Sequence, residues 1–207
     1  MLVVALVVSL TLLKHVVPQR AAVPVRKTFH GPWIYGNPAA RFTIIEYADL
    51  ECPYCRAYFP VLRHWIDEHR EVNWEWRNLP LAMHEPAALR EALLAECAGE
   101  VGGNGTFWRA VPWIYAHTQG EGAGLPESAR MPGTSRAIRR CLHSAPAREV
   151  IRAQVTAAAR DHVLGTPTLK LIDLKTRRYL ELAGPAAGDV LLSAIDSLAS
   201  LPRTPAK

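Results

Sequence analysis

The chain has 207 residues, of which 49% are apolar and 21% are charged, and its formal net charge at pH 7 is +5. This composition excludes an intrinsically disordered chain, and the length allows one domain with a sizeable core and an inserted subdomain. The densest basic spot, Arg136, Arg139 and Arg140, has helical spacing and no interleaved aromatic residues, so we interpret it as a solvated helix face and expect no nucleic-acid partner.

The N-terminus carries a continuous apolar segment from Leu2 to Leu13. This length is typical of a signal-peptide core or a short membrane anchor. No basic region precedes the segment and no A-x-A cleavage site follows it, so cleavage and orientation stay open. We assign residues 1–24 to a signal peptide or membrane anchor with its linker, and we expect an exported protein in which disulfides are stable.

Strand and helix signals alternate in the first part of the chain. GPWIYG predicts a short edge strand, and RFTIIEYADL, which is rich in β-branched and aromatic residues, predicts a buried strand. Pro53 begins a segment whose apolar residues recur at helical spacing, and EVNWEWRNLPL predicts a second central strand that ends at Pro80. Strand, helix and strand in this order form the crossover of a parallel sheet.

The next segment is alanine-rich and has lost its strand character. It predicts helices at EPAALREALLAECAGE, TFWRAVPWIYAHT, TSRAIRRCLHS and APAREVIRAQVTAAARDHVL. Strand signals resume at TPTLKLIDL and RRYLELAG, and AAGDVLLSAIDSLASL predicts a closing amphipathic helix. We therefore predict an α/β domain formed by residues 25–84 and 165–201, with a helical insertion at 85–164 and a tail at 202–207.

Two of the four cysteines, Cys52 and Cys55, form a C-x-x-C motif where the buried strand gives way to the helix. With Pro53 in the first turn, unpaired backbone N–H groups and the helix dipole point toward the Cys52 sulfur and favour its thiolate. Since the thiolate is the nucleophile in disulfide exchange, Cys52 is the predicted attacking residue and Cys55 the resolving one. The alternatives are a structural disulfide or half of a metal site, although the sequence lacks the second C-x-x-C or spaced histidine pair of a zinc site.

From about Trp33 to Leu198 the sequence resembles the DsbA-like branch of the thioredoxin superfamily, exported bacterial thiol:disulfide oxidoreductases with a helical domain inserted in a thioredoxin fold. The resemblance rests on TIIEYADLECPYC, LPLAMH, AECA, CLHS and, above all, GTPTL before the third strand. It implies an α/β thioredoxin-like fold with an inserted α-helical domain. It also implies that a Cys52–Cys55 disulfide carries the electrons without a bound cofactor.

The resemblance assigns roles outside the C-x-x-C motif as well. Pro167 is the family's cis-proline, which leaves the backbone of Thr166 free to pair with an extended substrate segment. Glu46, six residues before Cys52, has the place of the family's buried acid, which exchanges a proton with Cys55.

Pro53 and Tyr54, between the two cysteines, belong to the predicted substrate-binding residues. Tyr54 stands where strongly oxidising members carry a histidine. Without a neighbouring imidazolium, we expect the pKa of Cys52 to be less depressed and the disulfide to be less oxidising.

Cys97 and Cys141 lie on predicted helix faces that also carry apolar residues. Buried unpaired thiols are one interpretation, because free cysteine packs well. These are the two cysteines outside the C-x-x-C motif of an exported chain, and some DsbA-like proteins staple the insertion in this way. We therefore expect a structural Cys97–Cys141 disulfide.

The predicted function is thiol:disulfide exchange on cysteines of exported proteins in the periplasm or another extracytoplasmic space. We expect a monomer that a membrane redox partner reoxidises or reduces, with anchoring of the N-terminal segment to the inner membrane left open. An isomerase or reductase of the same fold is one alternative. A metal-handling or assembly factor that binds through Cys52, Cys55 and His84 is another, although His84 is equally suited to a capping or surface role.

Overall fold

The computed structural model describes residues 31–200. The predicted signal or anchor segment, residues 1–24, and the predicted tail, residues 202–207, lie outside the described residues. Within the described part, no helix is both long enough and apolar enough to cross a membrane.

Five strands form one mixed sheet in the order β1-β3-β2-β4-β5. The strands are β1 (Trp33–Gly36), β2 (Phe42–Ala48), β3 (Val72–Asn78), β4 (Thr168–Asp173) and β5 (Arg178–Ala183). β2 and β3 are parallel, and the other neighbouring pairs are antiparallel. All seven residues of β2 are buried, which fits its β-branched and aromatic composition and makes it the central strand.

Within residues 31–200, six α-helices accompany the sheet. They are α1 (Pro53–Glu68), α2 (Ala87–Gly102), α3 (Asn104–His117), α4 (Arg136–Leu142), α5 (Ala145–Arg160) and α6 (Gly188–Ser200). α1 joins β2 to the parallel β3, which confirms the predicted crossover. Helices α2 to α5 all lie between β3 and β4 in the chain, so the predicted class, a thioredoxin-like α/β fold with a helical insertion, is confirmed.

The sequence pattern placed the end of α5 too late. The predicted helix continues to Leu164, whereas α5 ends at Arg160. His162 adopts a φ of 57°, in the left-handed region, and the Val163 N–H donates to the Ala158 carbonyl at 3.0 Å. This turn stops the helix, and the chain that follows it leads to Pro167 and β4.

The main core lies between the sheet and helices α1, α3 and α6, and its centre is aromatic. Trp74 and Trp76 from β3 are 0% and 1% exposed. The Trp74 ring centroid lies 4.7 Å from that of Trp108 on α3 and 5.2 Å from that of Phe59 on α1. These contacts fix the position of α1, whose first turn carries the C-x-x-C motif, relative to the sheet and the insertion.

Helices α2, α4 and α5 enclose a second apolar cluster. Cys97 on α2 and Cys141 on α4 form a disulfide there, with their Cα atoms 5.6 Å apart. The bond links two helices of the insertion and lies outside the C-x-x-C site.

Candidate active site

The C-x-x-C motif sits at the end of the central strand, where α1 begins. Cys52 is the N-cap residue and Pro53 the first helical residue, since proline has no N–H to lose at that position. Cys52 and Cys55 are free thiols, 3% and 0% exposed. The side chain of Tyr54 between them is 67% exposed, so it faces solvent in front of the motif.

Several hydrogen bonds stabilise the Cys52 thiolate. The pKa of Cys52 falls from 9.0 to about 5, chiefly because the Cys55 thiol donates to it, with further help from Thr166 and from the backbone N–H groups of Cys55 and Tyr54. Burial opposes this shift but is outweighed. At neutral pH Cys52 is therefore the ionised thiol of the pair.

Thr166 is the residue that approaches Cys52 from the other side of the site. The Cys52 Sγ lies 3.4 Å from the Thr166 carbonyl oxygen, to which the thiol donates. The Thr166 Oγ1 is buried and has no hydrogen-bond partner among residues 31–200 while Cys52 is a thiol. Because a thiolate can only accept, the Thr166 hydroxyl is free to donate to it once Cys52 ionises.

The Thr166–Pro167 peptide bond is cis. Pro167 is buried, and its carbonyl accepts a hydrogen bond of 2.9 Å from the Gly184 N–H after β5. A cavity of about 340 Å³ adjoins this loop and is lined by Leu164, Thr166 and Pro167 among others. The loop thus combines a fixed backbone, which contacts Cys52 through Thr166, with open space along the loop itself.

Glu46 lies on β2, opposite Trp76 on β3 and Leu169 on β4, and is 1% exposed. Burial raises its pKa to about 8, and the negative charge of Cys52 adds to the effect. The Trp74 indole N–H faces the carboxyl and offsets part of this rise, but it lies outside hydrogen-bonding geometry, and no donor within residues 31–200 bonds either Glu46 oxygen.

The pKa of Cys55 shifts in the opposite direction to that of Cys52. Burial holds its pKa far above the ordinary value, and the hydrogen bond to Cys52 and the charge of Glu46 act in the same direction. Glu46 therefore interacts electrostatically with the thiol that must gain or lose a proton during exchange.

His84 has a structural partner. Its Nδ1 lies 2.7 Å from Asp49 Oδ2, in the turn before Cys52, and both side chains are buried. Across residues 31–200, no group of three or more histidine, cysteine or acidic side chains is placed to hold a metal ion.

The residues predicted around the thiols come together here, whereas the Cys97–Cys141 bond lies in the insertion.

The sequence patterns did not point to Asp49, or to Glu51 directly before Cys52. Both carboxyl groups are buried, 1% exposed each. Asp49 Oδ1 accepts the Glu51 N–H at 2.9 Å, and the Asp49 carbonyl accepts the Cys52 N–H at 3.2 Å. An aspartate that begins a turn is a local signal that fits this contact with the backbone two residues on.

Comparisons with known proteins agree with this arrangement. A sequence profile of the family described as Thioredoxin matches residues 28–182. The crystal structure of Pseudomonas aeruginosa DsbA2 is 42% identical, covers 81% of this chain and 93% of its own, and superposes with a TM-score of 0.78.

Two further structures share the fold. Wolbachia pipientis alpha-DsbA1 is 18% identical over 80% of this chain and 89% of its own, with a TM-score of 0.63. Oxidised BdbD from Bacillus subtilis is 16% identical over 81% of this chain and 92% of its own, with a TM-score of 0.61.

Curated relatives match over a shorter stretch. The Na(+)/H(+) antiporter NhaA 3 of Salinispora tropica is 38% identical over 84 residues, which is 41% of this chain and 12% of the antiporter. The Na(+)/H(+) antiporter NhaA 1 of Salinispora arenicola is 38% identical over 88 residues, 42% of this chain and 13% of its own length. The chain thus matches only about an eighth of the length of these relatives.

Proposed function

Because the chain belongs to the thioredoxin family, in its DsbA-like branch, we propose that it exchanges disulfides with cysteine-containing exported proteins. The observation that carries the proposal is the contrast between two neighbouring thiols. Cys52 has a pKa of about 5, whereas that of Cys55 is held far above its ordinary value. One sulfur is therefore suited to attack and departure, and the other to resolution.

In the oxidising direction, a substrate thiolate attacks the Cys52 sulfur of the Cys52–Cys55 disulfide, and Cys55 departs with the electron pair of the broken bond. Cys55 needs a proton on departure because its thiolate is buried and unfavourable. Glu46 still holds a proton at neutral pH, and we assign it the role of proton donor to Cys55. A second substrate thiolate then attacks the mixed disulfide, and Cys52 leaves as a stabilised thiolate while the substrate gains a disulfide.

We assign substrate docking to the Thr166–Pro167 loop and to the exposed Pro53 and Tyr54. The Thr166 carbonyl lies 3.4 Å from the Cys52 Sγ, so an extended substrate segment paired with this backbone brings its own sulfur to Cys52. The cavity of about 340 Å³ along the loop leaves room for a substrate side chain.

The stabilised thiolate favours the oxidising direction over the reducing one. At pH 7, a fall in the Cys52 pKa from 9.0 to about 5 stabilises the reduced protein by roughly 3 kcal/mol, which corresponds to about 60 mV. A protein that is more stable when reduced accepts electrons readily. An isomerase or reductase of the same fold is the second candidate. The family resemblance favours it through Pro53-Tyr54 combined with Thr166, a combination seen in some isomerase and reductase relatives.

We further propose an extracytoplasmic location, periplasmic in a cell with two membranes, and a monomer that exchanges electrons with a membrane redox partner. The similarity to Pseudomonas aeruginosa DsbA2 supports the location and the redox partner, and the monomer is an expectation from the sequence. The transport activity of the antiporter relatives is not carried over, because the match covers only 12–13% of their length.

Two variants test the exchange reaction with insulin as the disulfide substrate. Cys52→Ala should abolish insulin reduction, whereas Cys55→Ala should accumulate a mixed disulfide at Cys52, because only the resolving thiol is lost. Full and equal activity of both variants would end the redox assignment. Stoichiometric copper or zinc binding by the reduced protein without any exchange activity would favour the metal-handling alternative.

The reduction potential decides the direction of electron flow. A value near that of DsbA, about −120 mV, supports an oxidase, and a value near that of thioredoxin, about −270 mV, supports a reductase.

A further inference from the structure

Glu51 ties the turn before Cys52 to the helical insertion. Its carboxyl accepts hydrogen bonds from the Thr118 hydroxyl at the end of α3 and from the Gly124 N–H at 2.9 Å. The Glu51 carbonyl accepts the Glu121 N–H, also at 2.9 Å. The loop after α3 thus wraps around Glu51, and Glu51 is covalently joined to the reacting cysteine.

Glu91 on α2 brings a second carboxyl to the same place. It is 2% exposed, and its carboxyl hydrogen-bonds that of Glu51. By geometry, neither Glu91 oxygen has a hydrogen-bond donor among residues 31–200. The Thr118 hydroxyl lowers the Glu91 pKa, but it already donates to Glu51. Two carboxylates cannot hydrogen-bond each other without a proton, and two buried adjacent negative charges are costly, so one of the pair must be protonated.

Few positively charged side chains lie near the carboxyl groups of Glu51 and Glu91. Asp49 is a further acid that acts on Glu91, and its carboxyl pairs with His84 at 2.7 Å. Arg56 on α1 donates to the Thr118 carbonyl at 3.2 Å, and Tyr115 on α3 donates to the Asp49 carbonyl. Charged side chains also come from the start of α2, where Glu85 and Arg90 flank the site.

The two carboxyl groups respond to these surroundings in opposite ways. Burial and the facing Glu51 raise the pKa of Glu91 to about 9. Burial alone would raise the pKa of Glu51 too, but the hydrogen bonds from Glu91, Thr118 and the loop N–H groups outweigh it and hold this pKa below its ordinary value. The proton therefore belongs to Glu91.

We propose that Glu91 is a positioning residue: the proton it shares with Glu51 holds the turn from Asp49 to Cys52 against the helical insertion. Loss of the proton in alkaline solution puts two negative charges side by side in a buried site. The turn must then move to admit water, which exposes the Cys52 sulfur. The inference rests on the proposed function only in taking Cys52 as the reacting thiol.

Alkylation of reduced Cys52 by iodoacetamide, mapped by mass spectrometry, tests the inference without any substrate. With a pKa of about 5, the Cys52 thiol is almost fully ionised at pH 7, so its own ionisation no longer changes the rate on either side of about pH 9. The wild-type rate should rise through that range. In Glu91→Gln the rise near pH 9 should be lost, because the amide donates the same hydrogen bond and does not titrate. Only the change that Glu46 causes as it titrates near pH 8 beside Cys52 should remain.

Glu51→Gln provides the second variant if Glu91→Gln does not fold. Its rise should shift to lower pH, since Glu91 no longer faces a negative charge. Glu68→Gln, at the exposed far end of α1, is the matched control and should behave like the wild type. A wild-type rate that is constant or falls near pH 9, or a rise near pH 9 that Glu91→Gln reproduces in full, overturns the proposal. In either case the insulin assay with Cys52→Ala and Cys55→Ala still tests the redox assignment separately.

Discussion

Replacing Thr166 by valine should raise the pKa of Cys52 and make the Cys52–Cys55 disulfide less oxidising. Valine keeps the β-branched shape and the backbone of the loop but removes the hydroxyl that stabilises the thiolate. The Thr166 Oγ1 has no other partner within residues 31–200, so the substitution disrupts no competing hydrogen bond.

The size of the effect follows from the strength of a hydrogen bond to a charged group. Such a bond contributes about 1.5 kcal/mol at the low end of its range. This corresponds to a rise of about one unit in the Cys52 pKa. At pH 7 both proteins hold an ionised Cys52, so the full difference appears as a fall of about 30 mV in the reduction potential.

Two measurements check this prediction. The ultraviolet absorbance of the thiolate as a function of pH reports the pKa, and equilibration with glutathione reports the potential. Thr168→Val is the matched control, because the Thr168 hydroxyl donates to the Gly165 carbonyl at 2.8 Å and does not contribute to the Cys52 pKa. An unchanged titration in Thr166→Val, or an equal shift in Thr168→Val, would refute the assignment of the hydroxyl.

The other predictions concern the structural disulfide, the residue between the cysteines and the buried acid. Removing the Cys97–Cys141 bond, which closes a separation of 44 residues, with a double alanine variant should cost about 4 kcal/mol of stability and leave insulin reduction intact; an unchanged melting temperature would contradict this. Tyr54→His should lower the Cys52 pKa by less than about one unit, because the position is 67% exposed and solvent screens the added charge; thiolate titration measures it. Glu46 has a raised pKa of about 8, so its contribution to stability is complete below its unfolded pKa and is lost as the pH rises through about 8. Glu46→Gln should therefore gain in melting temperature relative to the wild type as the pH rises, and a constant difference would count against a buried, protonated Glu46.

The parts of the site that depend on local chemistry were accessible from the sequence. Pro53 fixes the start of α1 next to Cys52, so the position of the proposed nucleophile follows from a few adjacent residues. The contact between Cys52 and Thr166 spans 114 residues, and only the family resemblance suggested it. Spacing alone cannot bring together two segments so far apart in the chain.

The environment of Glu51 could not be predicted from the sequence. A glutamate beside a predicted helix is usually solvated, and the glycine-rich stretch after α3 suggested only a separator between helices. In the fold, Gly120, Gly122 and Gly124 all adopt positive φ values between 78° and 86°. This conformation curls the loop so that the Gly124 N–H reaches Glu51, 73 residues away.

The Cys97–Cys141 bond also bears on how each molecule is made. A newly synthesised chain has four thiols, and it must give up two electrons to an outside acceptor before the insertion is cross-linked. An oxidised older copy has the chemistry to accept those electrons through Cys52 and Cys55, so maturation of one molecule can consume the oxidising equivalents of another. Production in a reducing compartment would yield molecules with an intact exchange motif and an unstapled insertion, and the thiol count per chain distinguishes the two forms.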